Sequence, residues 1–356
     1  MTTPLRVLVV GCGHMGASHA KAYAARPDCE IVGLVSRTEE SRGALAAALG
    51  IDCPGFADFH EALAATRPDA VCISTYPDTH AAFALASMEA GAHVFLEKPI
   101  AETVEEAETV RAAALRLNRK LVVGYILRQH PSWTKLIDLA QTLGKPLVMR
   151  MNLNQQSFGN EWRVHKNLMN SLSPIVDCGV HYVDVMCQMT RSRPVRVHAI
   201  GARLSDEIKP GMFNYGALHV AFEDGSVGWY EAGWGPMMSQ EAYFIKDVVG
   251  PRGAVSIVSS AQSGDSGDVA GHTRTGALRL HHAELGADGQ FARADEIIST
   301  EGEPDHDGLC ALEQAFFVGA IRCDGDLTAH LDDAVNSLRI VLAADRSMRE
   351  GRSVDL

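Results

Sequence analysis

Basic residues are in the minority and nowhere clustered. The chain carries 32 lysines and arginines against 44 aspartates and glutamates, a formal net charge of −12. An acidic chain without a basic stripe is a poor match for nucleic acid or an anionic membrane surface. Long apolar runs are also missing. None approaches the ~18 residues that a membrane-spanning helix needs. The opening Met1–Arg6 leads too quickly into Val7–Val10 and Gly11 to read as a signal peptide. The eight cysteines form no Cys-x-x-Cys pair, which argues against structural zinc, and Cys12 lies in a glycine turn where a disulfide would be awkward. Reduced thiols in a cytoplasmic chain, with no bound metal, are the expectation. Internal repeats and low-complexity tracts are absent.

What is present begins with 356 residues, the length of two domains, and an ordinary 46% hydrophobic content. The apolar run Leu5-Arg-Val-Leu-Val-Val10 enters Gly11-Cys-Gly13-His14-Met15-Gly16, and a helix-compatible segment, 17–25, follows. Strand, glycine turn and helix in that order form a dinucleotide-binding signature. Gly11 makes the tight turn, Gly13 lets the backbone approach a pyrophosphate, and Gly16 lets helix pack on strand. The helix N-terminus offers free N–H groups to the phosphates.

Short apolar runs at 5–10, 30–35, 70–74, 93–96 and 120–124 alternate with helical segments such as 81–90 and 104–117. That alternation predicts a parallel, doubly wound sheet over residues 1–124. The character changes over 125–356. Helices are expected at 131–142 and 174–189. Strands are expected at 147–153, 195–202, 216–222, 226–234, 242–249 and 254–258, with an Asp-Gly hairpin at Phe222–Ser226. Residues 259–276 read as a mobile surface loop, and two helices at 307–321 and 331–349 close the chain. The second domain is therefore a helix-backed, largely antiparallel sheet. Trp229, Tyr230 and Trp234 mark a face that a second copy of the chain or simple core packing would cover.

A carboxylate about 20 residues past the glycine turn ordinarily holds the adenosine ribose of NAD. Here the second strand ends in Ser36-Arg37, with Arg42 one helical turn on. Serine can donate to a 2′-phosphate, and arginine can pair with it and stack on adenine. This favours NADP(H), with NAD(H) possible; Glu39 and Glu40 would favour NAD if they pointed inward.

Three stretches can supply the remaining chemistry. Glu97-Lys98-Pro99 ends a strand, where the ligand crevice of an open α/β sheet lies. Lys98 there can polarise a substrate oxygen or orient the cofactor. On one helix, Asp177, His181, Asp184 and Gln188 share a face. That stripe either faces water or lines a cleft, with His181 as acid/base and a carboxylate tuning it. Glu161-Trp162-Arg163, with Lys166 a turn later, can contact hydroxyls or stack on a sugar ring, or form a plain surface helix.

These residues resemble those of the Gfo/Idh/MocA oxidoreductases, which include glucose–fructose oxidoreductase and inositol dehydrogenases. The match runs nearly end to end. It comprises the glycine turn with His19; Ser74-Thr75-Tyr76-Pro-Asp-Thr-His80; Gly91-Ala-His-Val-Phe-Leu-Glu97-Lys98-Pro99; Gly124-Tyr125-x-x-Arg128-x-x-Pro131; Asp177-x-x-x-His181; and Ser347-x-x-Glu-Gly-Arg-Ser-Val354. The resemblance implies a Rossmann domain followed by a domain with an open-faced sheet through which such proteins form homodimers or homotetramers. It implies that Lys98 and His181 contact the reacting hydroxyl of a sugar or cyclic polyol, with His181 the acid/base and Asp177 its supporter or a substrate ligand. The Ser74–Tyr76 turn, His80 and Glu97 would lie near the cofactor, and Tyr125, Arg128, Trp162 and Arg163 near the substrate. Three departures stand out. Ser36 replaces a frequent acid, Ser171-Leu-Ser-Pro174 replaces small glycines, and Tyr76 replaces proline. Two other activities fit the same fold: a non-catalytic dinucleotide sensor, and a glycoside-cleaving enzyme that oxidises its substrate transiently with tightly held NAD.

Overall fold

Buried aliphatic strands dictate the first layer of the molecule. The computed structural model describes residues 3–239, 245–258 and 275–356. Strands β1 (Leu5–Val10), β2 (Cys29–Val35), β3 (Gly55–Phe56), β4 (Ala70–Ile73), β5 (His93–Glu97) and β6 (Leu121–Gly124) form a six-stranded sheet in the order β3-β2-β1-β4-β5-β6. Every pairing is parallel. β4 and β6 are buried at every residue, as strands covered on both faces must be.

Helices α1 (His14–Ala24), α2 (Glu39–Leu49), α3 (Phe59–Thr66), α4 (Pro77–Glu89) and α5 (Val104–Arg116) connect them. Their starts follow capping chemistry. Thr38, Asp58 and Thr103 cap α2, α3 and α5 through side-chain oxygens, and Thr103 with Glu106 completes a capping box. α1 and α4 start without a side-chain cap; α4 has Pro77 and Asp78 in its first turn, whereas α1, with Gly13 as its N-cap, has no acid there.

The second layer is a nine-stranded, mostly antiparallel sheet. Its elements are α6 (Pro131–Thr142), β7 (Val148–Gln156), α7 (Gly159–Leu168), α8 (Pro174–Asp177), α9 (Gly179–Thr190), β8 (Pro194–Ala202), β9 (Tyr215–Phe222), β10 (Val227–Gly235), β11 (Lys246–Gly250), β12 (Gly253–Val258), β13 (Ala277–His282) and β14 (Glu296–Ser299). α10 (His306–Arg322), α11 (Thr328–Glu350) and β15 (Val354–Asp355) complete the chain. The strand order is β14-β13-β12-β11-β7-β10-β9-β8-β15, with β7 and β10 parallel. The Asp224-Gly225 turn joins β9 to β10, and Gly225 takes the left-handed φ of +83° that such a turn needs.

One face of this sheet packs on helices. The other carries Val148, Val227 and Val249 in one cross-strand row, and Arg150, Trp229 and Asp247 in the next. Trp229 lies on this outer face, half-buried, whereas Tyr230 and Trp234 are buried among the core side chains. The three aromatics therefore do not mark one common surface.

The compact units are 1–129 with 304–335, and 130–303 with 336–356. A straight division after residue 124 misses that return, because α10 packs along α1. Phe317 and Val318 join Val7, Val9 and Tyr23 in one core cluster, and the backbone N–H of Val123 donates to His330 Nε2 at 2.8 Å. The helix expected over 174–189 is broken at Cys178 into α8 and α9. The expected loop at 259–276 lies outside the described residues except for its last two, and so do residues 242–244 of the strand expected at 242–249. Among the described residues no helix is long and apolar enough to cross a membrane.

Candidate active site

The nucleotide-binding features converge at the C-terminal edge of the parallel sheet. Gly11 holds φ +98°, and a Cβ there would lie 2.3 Å from the Ser74 carbonyl oxygen. A Cβ on Gly16 would lie 1.9 Å from the Gly11 oxygen. Both positions require glycine, for turn and for packing. Gly13 differs, since a Cβ there would meet nothing within 4 Å. Its bareness serves no contact inside the protein, and the start of α1 is open there. Exposed His14 and half-buried Met15 follow in the first turn of α1. The His14 ring lies 5.6 Å from that of His306, at the start of α10. Burial, and then His14, push the His306 imidazole below its usual range.

At the end of β2, Ser36 Oγ pairs with Ser41 Oγ at 2.8 Å. The Arg42 guanidinium donates to the Ser36 carbonyl, which holds it beside the strand end. Arg37 is exposed, as are Glu39 and Glu40 in the first turn of α2. At the end of β4, Thr75 Oγ1 and Thr79 Oγ1 are 2.6 Å apart, and Tyr76 is 66% exposed as the residue before α4. His80 is fully buried, with Nδ1 2.7 Å from the Pro99 oxygen and Nε2 3.1 Å from the Thr75 oxygen. Burial holds the ring below its usual pKa, while the two backbone contacts act the other way. His80 therefore braces the Thr75 turn against Pro99, and its ring nitrogens face protein rather than ligand.

Glu97 closes β5, and Lys98 follows, half-buried, in the turn to Pro99. The Glu97 carboxylate takes a hydrogen bond from His19 Nε2 at 2.7 Å and another from the Lys98 backbone N–H at 3.1 Å. Gly124 on neighbouring β6 accommodates it, since a Cβ there would lie 3.4 Å from the carboxylate. Tyr125 is buried just beyond β6, with the Arg128 guanidinium 5.7 Å from its ring centre and 3.2 Å from Asp333. The two residues expected to meet substrate are thus packed within the nucleotide-binding unit.

Asp177 and His181 lie in the other unit. Ser173 caps α8 and Pro174 occupies its first turn, so the sequence starts the helix where Asp177 is needed. Asp177 and His181 are half-buried, at the junction of α8 and α9. The rest of the expected polar stripe is not a cleft lining. Asp184 and Gln188 are buried, and Gln188 Nε2 donates to Asp184 Oδ2 at 3.0 Å. Gln155, on β7, accepts from Trp234 Nε1 at 2.7 Å and from the Cys178 thiol at 3.5 Å, tying the helix junction to the sheet. The His165 ring stacks on Trp234 with centroids 4.3 Å apart, and its Nδ1 lies 2.9 Å from Ser157 Oγ. Trp162 is buried beside this cluster, with its indole N–H 3.3 Å from Glu207, while Arg163 is exposed and bonded to Asn160. Trp162 accordingly offers no open face for stacking. Gln155 and His165 carry no spacing signal in the sequence, because their partners come from distant strands.

A glycine cradle on a parallel sheet, followed by a lysine at a strand end, defines a nucleotide-binding α/β protein. The family models narrow that class: residues 5–125 match the NAD-binding Rossmann fold of the oxidoreductase family, and residues 134–255 match the GFO/IDH/MocA C-terminal domain. The chain belongs to the Gfo/Idh/MocA oxidoreductases. It is 30% identical over 197 residues to UDP-N-acetylglucosamine 3-dehydrogenase of Acidithiobacillus ferrooxidans, covering 55% of this chain and 58% of that one. It is 29% identical to inositol 2-dehydrogenase of Klebsiella pneumoniae, over 51% of this chain and 53% of the relative. These matches span little more than half the relatives' length. A 26% identity to scyllo-inositol 2-dehydrogenase (NAD(+)) of Bacillus subtilis covers 100% of this chain and 97% of the relative. The fold matches scyllo-inositol dehydrogenase from Lactobacillus casei, solved with NAD(H) and scyllo-inositol, with a TM-score of 0.79 at 20% identity and 99% coverage of both chains.

Proposed function

We propose that the protein is a nicotinamide-dependent oxidoreductase that interconverts a secondary alcohol and ketone of a sugar or cyclic polyol. The observation that carries this reading is the bare, uncapped helix start at Gly13 in the same unit as a strand-end lysine, in a chain that also presents a half-buried Asp177/His181 pair. The glycine turn and the N–H groups of α1 would hold the pyrophosphate. Ser36, Arg37 and Arg42 would meet the adenosine end; the lack of a carboxylate at the end of β2 favours NADP(H).

A bound nicotinamide supplies the hydride acceptor or donor. In the oxidative direction, the His181 imidazole removes the hydroxyl proton, while Lys98 donates a hydrogen bond to the same oxygen and offsets its growing negative charge. Asp177 orients His181 or binds a neighbouring hydroxyl. In the reductive direction His181 returns the proton. The exposed valine row Val148–Val227–Val249 on the outer face of the nine-stranded sheet suits a homodimer or homotetramer.

The test is Lys98→Ala and His181→Ala, each assayed for NADPH and NADH binding by fluorescence and for turnover on a polyol and sugar panel. Binding is expected to survive and turnover to vanish. Activity retained in both variants refutes the reading. Cofactor that binds but is never consumed in turnover points instead to glycoside cleavage by transient oxidation.

A further inference from the structure

His19 belongs to no step described so far, yet its surroundings are unusually determined. The ring is fully buried against Phe95, with centroids 4.7 Å apart. Its Nδ1 lies 2.9 Å from the side-chain nitrogen of Gln314 on α10. An amide NH2 only donates, so Nδ1 accepts and the ring proton sits on Nε2. That proton is given to Glu97 Oε1, while the Lys98 N–H is given to Glu97 Oε2. At the far end, the Tyr23 hydroxyl donates to the Gln314 carbonyl oxygen. Tyr23, Gln314, His19 and Glu97 thus form one buried relay of fixed polarity, ending at the backbone of Lys98.

The neighbouring groups fit that polarity. Cys310 and Glu313 lie beside His19, with ligand-type atoms of all three within 4.8 Å. The trio is a poor cation site, because the Nδ1 lone pair is occupied and Nε2 carries its proton. Burial, then the Glu97 charge, pushes the Glu313 carboxyl well above its usual range. Glu97 takes the hydrogen bonds of two donors, His19 Nε2–H and the Lys98 N–H.

We propose that His19 is a positioning residue for Lys98: as the neutral Nε2–H tautomer it orients the Glu97 carboxylate, which fixes the backbone from which Lys98 projects. This rests on the reading of Lys98 as a group acting on the reacting oxygen. Turnover depends on a lysine placed to within a fraction of an ångström, and a shift of about 1 Å costs on the order of 100-fold.

The first test needs no substrate. Long-range 1H–15N NMR of the whole chain labelled at histidine is expected to show His19 protonated at Nε2 and not at Nδ1. An Nδ1–H tautomer or a doubly protonated ring overturns the proposal. The second uses reductive 13C-methylation, reading the Lys98 signal in His19→Leu and His19→Gln. Leucine keeps bulk but neither hydrogen bond, whereas glutamine can donate to Glu97 and accept from Gln314. The Lys98 signal is expected to move in His19→Leu and to return in His19→Gln; no movement in His19→Leu, or the same movement in both, overturns the proposal. With scyllo-inositol or myo-inositol and the preferred cofactor, kcat of His19→Leu should fall at least about tenfold, with KM and cofactor affinity within about threefold, and recover in His19→Gln. A wild-type chain with the expected tautomer and Lys98 response but no turnover supports the positioning and refutes the catalytic reading of Lys98.

Discussion

Gly13→Ala and Gly16→Ala separate a glycine kept for a ligand from one kept for packing. At Gly16 the added methyl carbon lies 1.9 Å from a backbone oxygen and 2.8 Å from its carbon. Neither atom can rotate away, so the turn must move, which costs about 1–3 kcal/mol or more. At roughly 2–4 °C per kcal/mol, the melting temperature drops by roughly 2–12 °C. At Gly13 the methyl meets no protein atom, and φ is −78°, which any residue adopts. Alanine is a somewhat poorer N-cap than glycine, a cost of about 0.5 kcal/mol. Its effect on a dinucleotide is larger. Holding the pyrophosphate off by a methyl group removes one or two charge-assisted hydrogen bonds of about 1.5–3 kcal/mol each. The affinity then falls roughly 10-fold to more than 1,000-fold. Differential scanning calorimetry and NADPH fluorescence titration on both variants read the two effects. A Gly13→Ala protein that binds NADPH as the wild type does would refute the close approach, and a Gly16→Ala protein with wild-type melting would refute the packing.

Other outcomes follow from the same reasoning. Arg37→Ala with Arg42→Ala should weaken NADPH at least tenfold, about 1.4 kcal/mol, while NADH changes little; equal losses would mean the pair does not read the 2′-phosphate. Lys246 is wholly buried over the Tyr182 ring, and burial lowers its pKa to about 7. The unfolded lysine titrates near 10.4, so between about pH 10 and about pH 7 the unfolded state takes up the proton first and stability falls with falling pH. Lys246→Met should therefore gain in relative melting temperature as the pH drops through that window, and a pH-independent difference would contradict the burial argument. Asp184→Ala strands the Gln188 amide in the core and should cost about 1–3 kcal/mol in chemical denaturation, leaving cofactor affinity unchanged.

Much of this was legible because local chemistry and global fold agree. Leu5–Val10 followed by three glycines fixes strand, turn and helix within a dozen or so residues, and the strand-end position of Lys98 follows from the apolar run before it. What escaped depends on long-range packing. Asp184 and Gln188 read as part of a polar stripe by periodicity, but they satisfy each other in the core, and spacing cannot tell a buried pair from a wet one. Trp162 looks like a stacking platform until packing with Met169, Ile208, Met212 and Trp234 buries the ring. The break at Cys178 falls directly before Gly179, a weak helix former, but the continuous apolar periodicity of 174–189 masks that local signal. Gln314 meets His19 across 295 residues of sequence, a pairing no periodicity encodes.

The return of residues 304–335 to the first unit sets an order of events during synthesis. When residue 129 leaves the ribosome, every strand of the parallel sheet exists, yet the layer containing Phe317, Val318 and Leu327 does not. Val7, Val9 and Tyr23 must wait on one side until the whole intervening sheet domain has been made. The nascent nucleotide-binding half thus keeps apolar surface exposed while residues 130–303 are made. Premature release anywhere before α10 leaves Val7 and Val9 with Ala20 and Tyr23 of α1 but without Phe317, Val318 and Leu327.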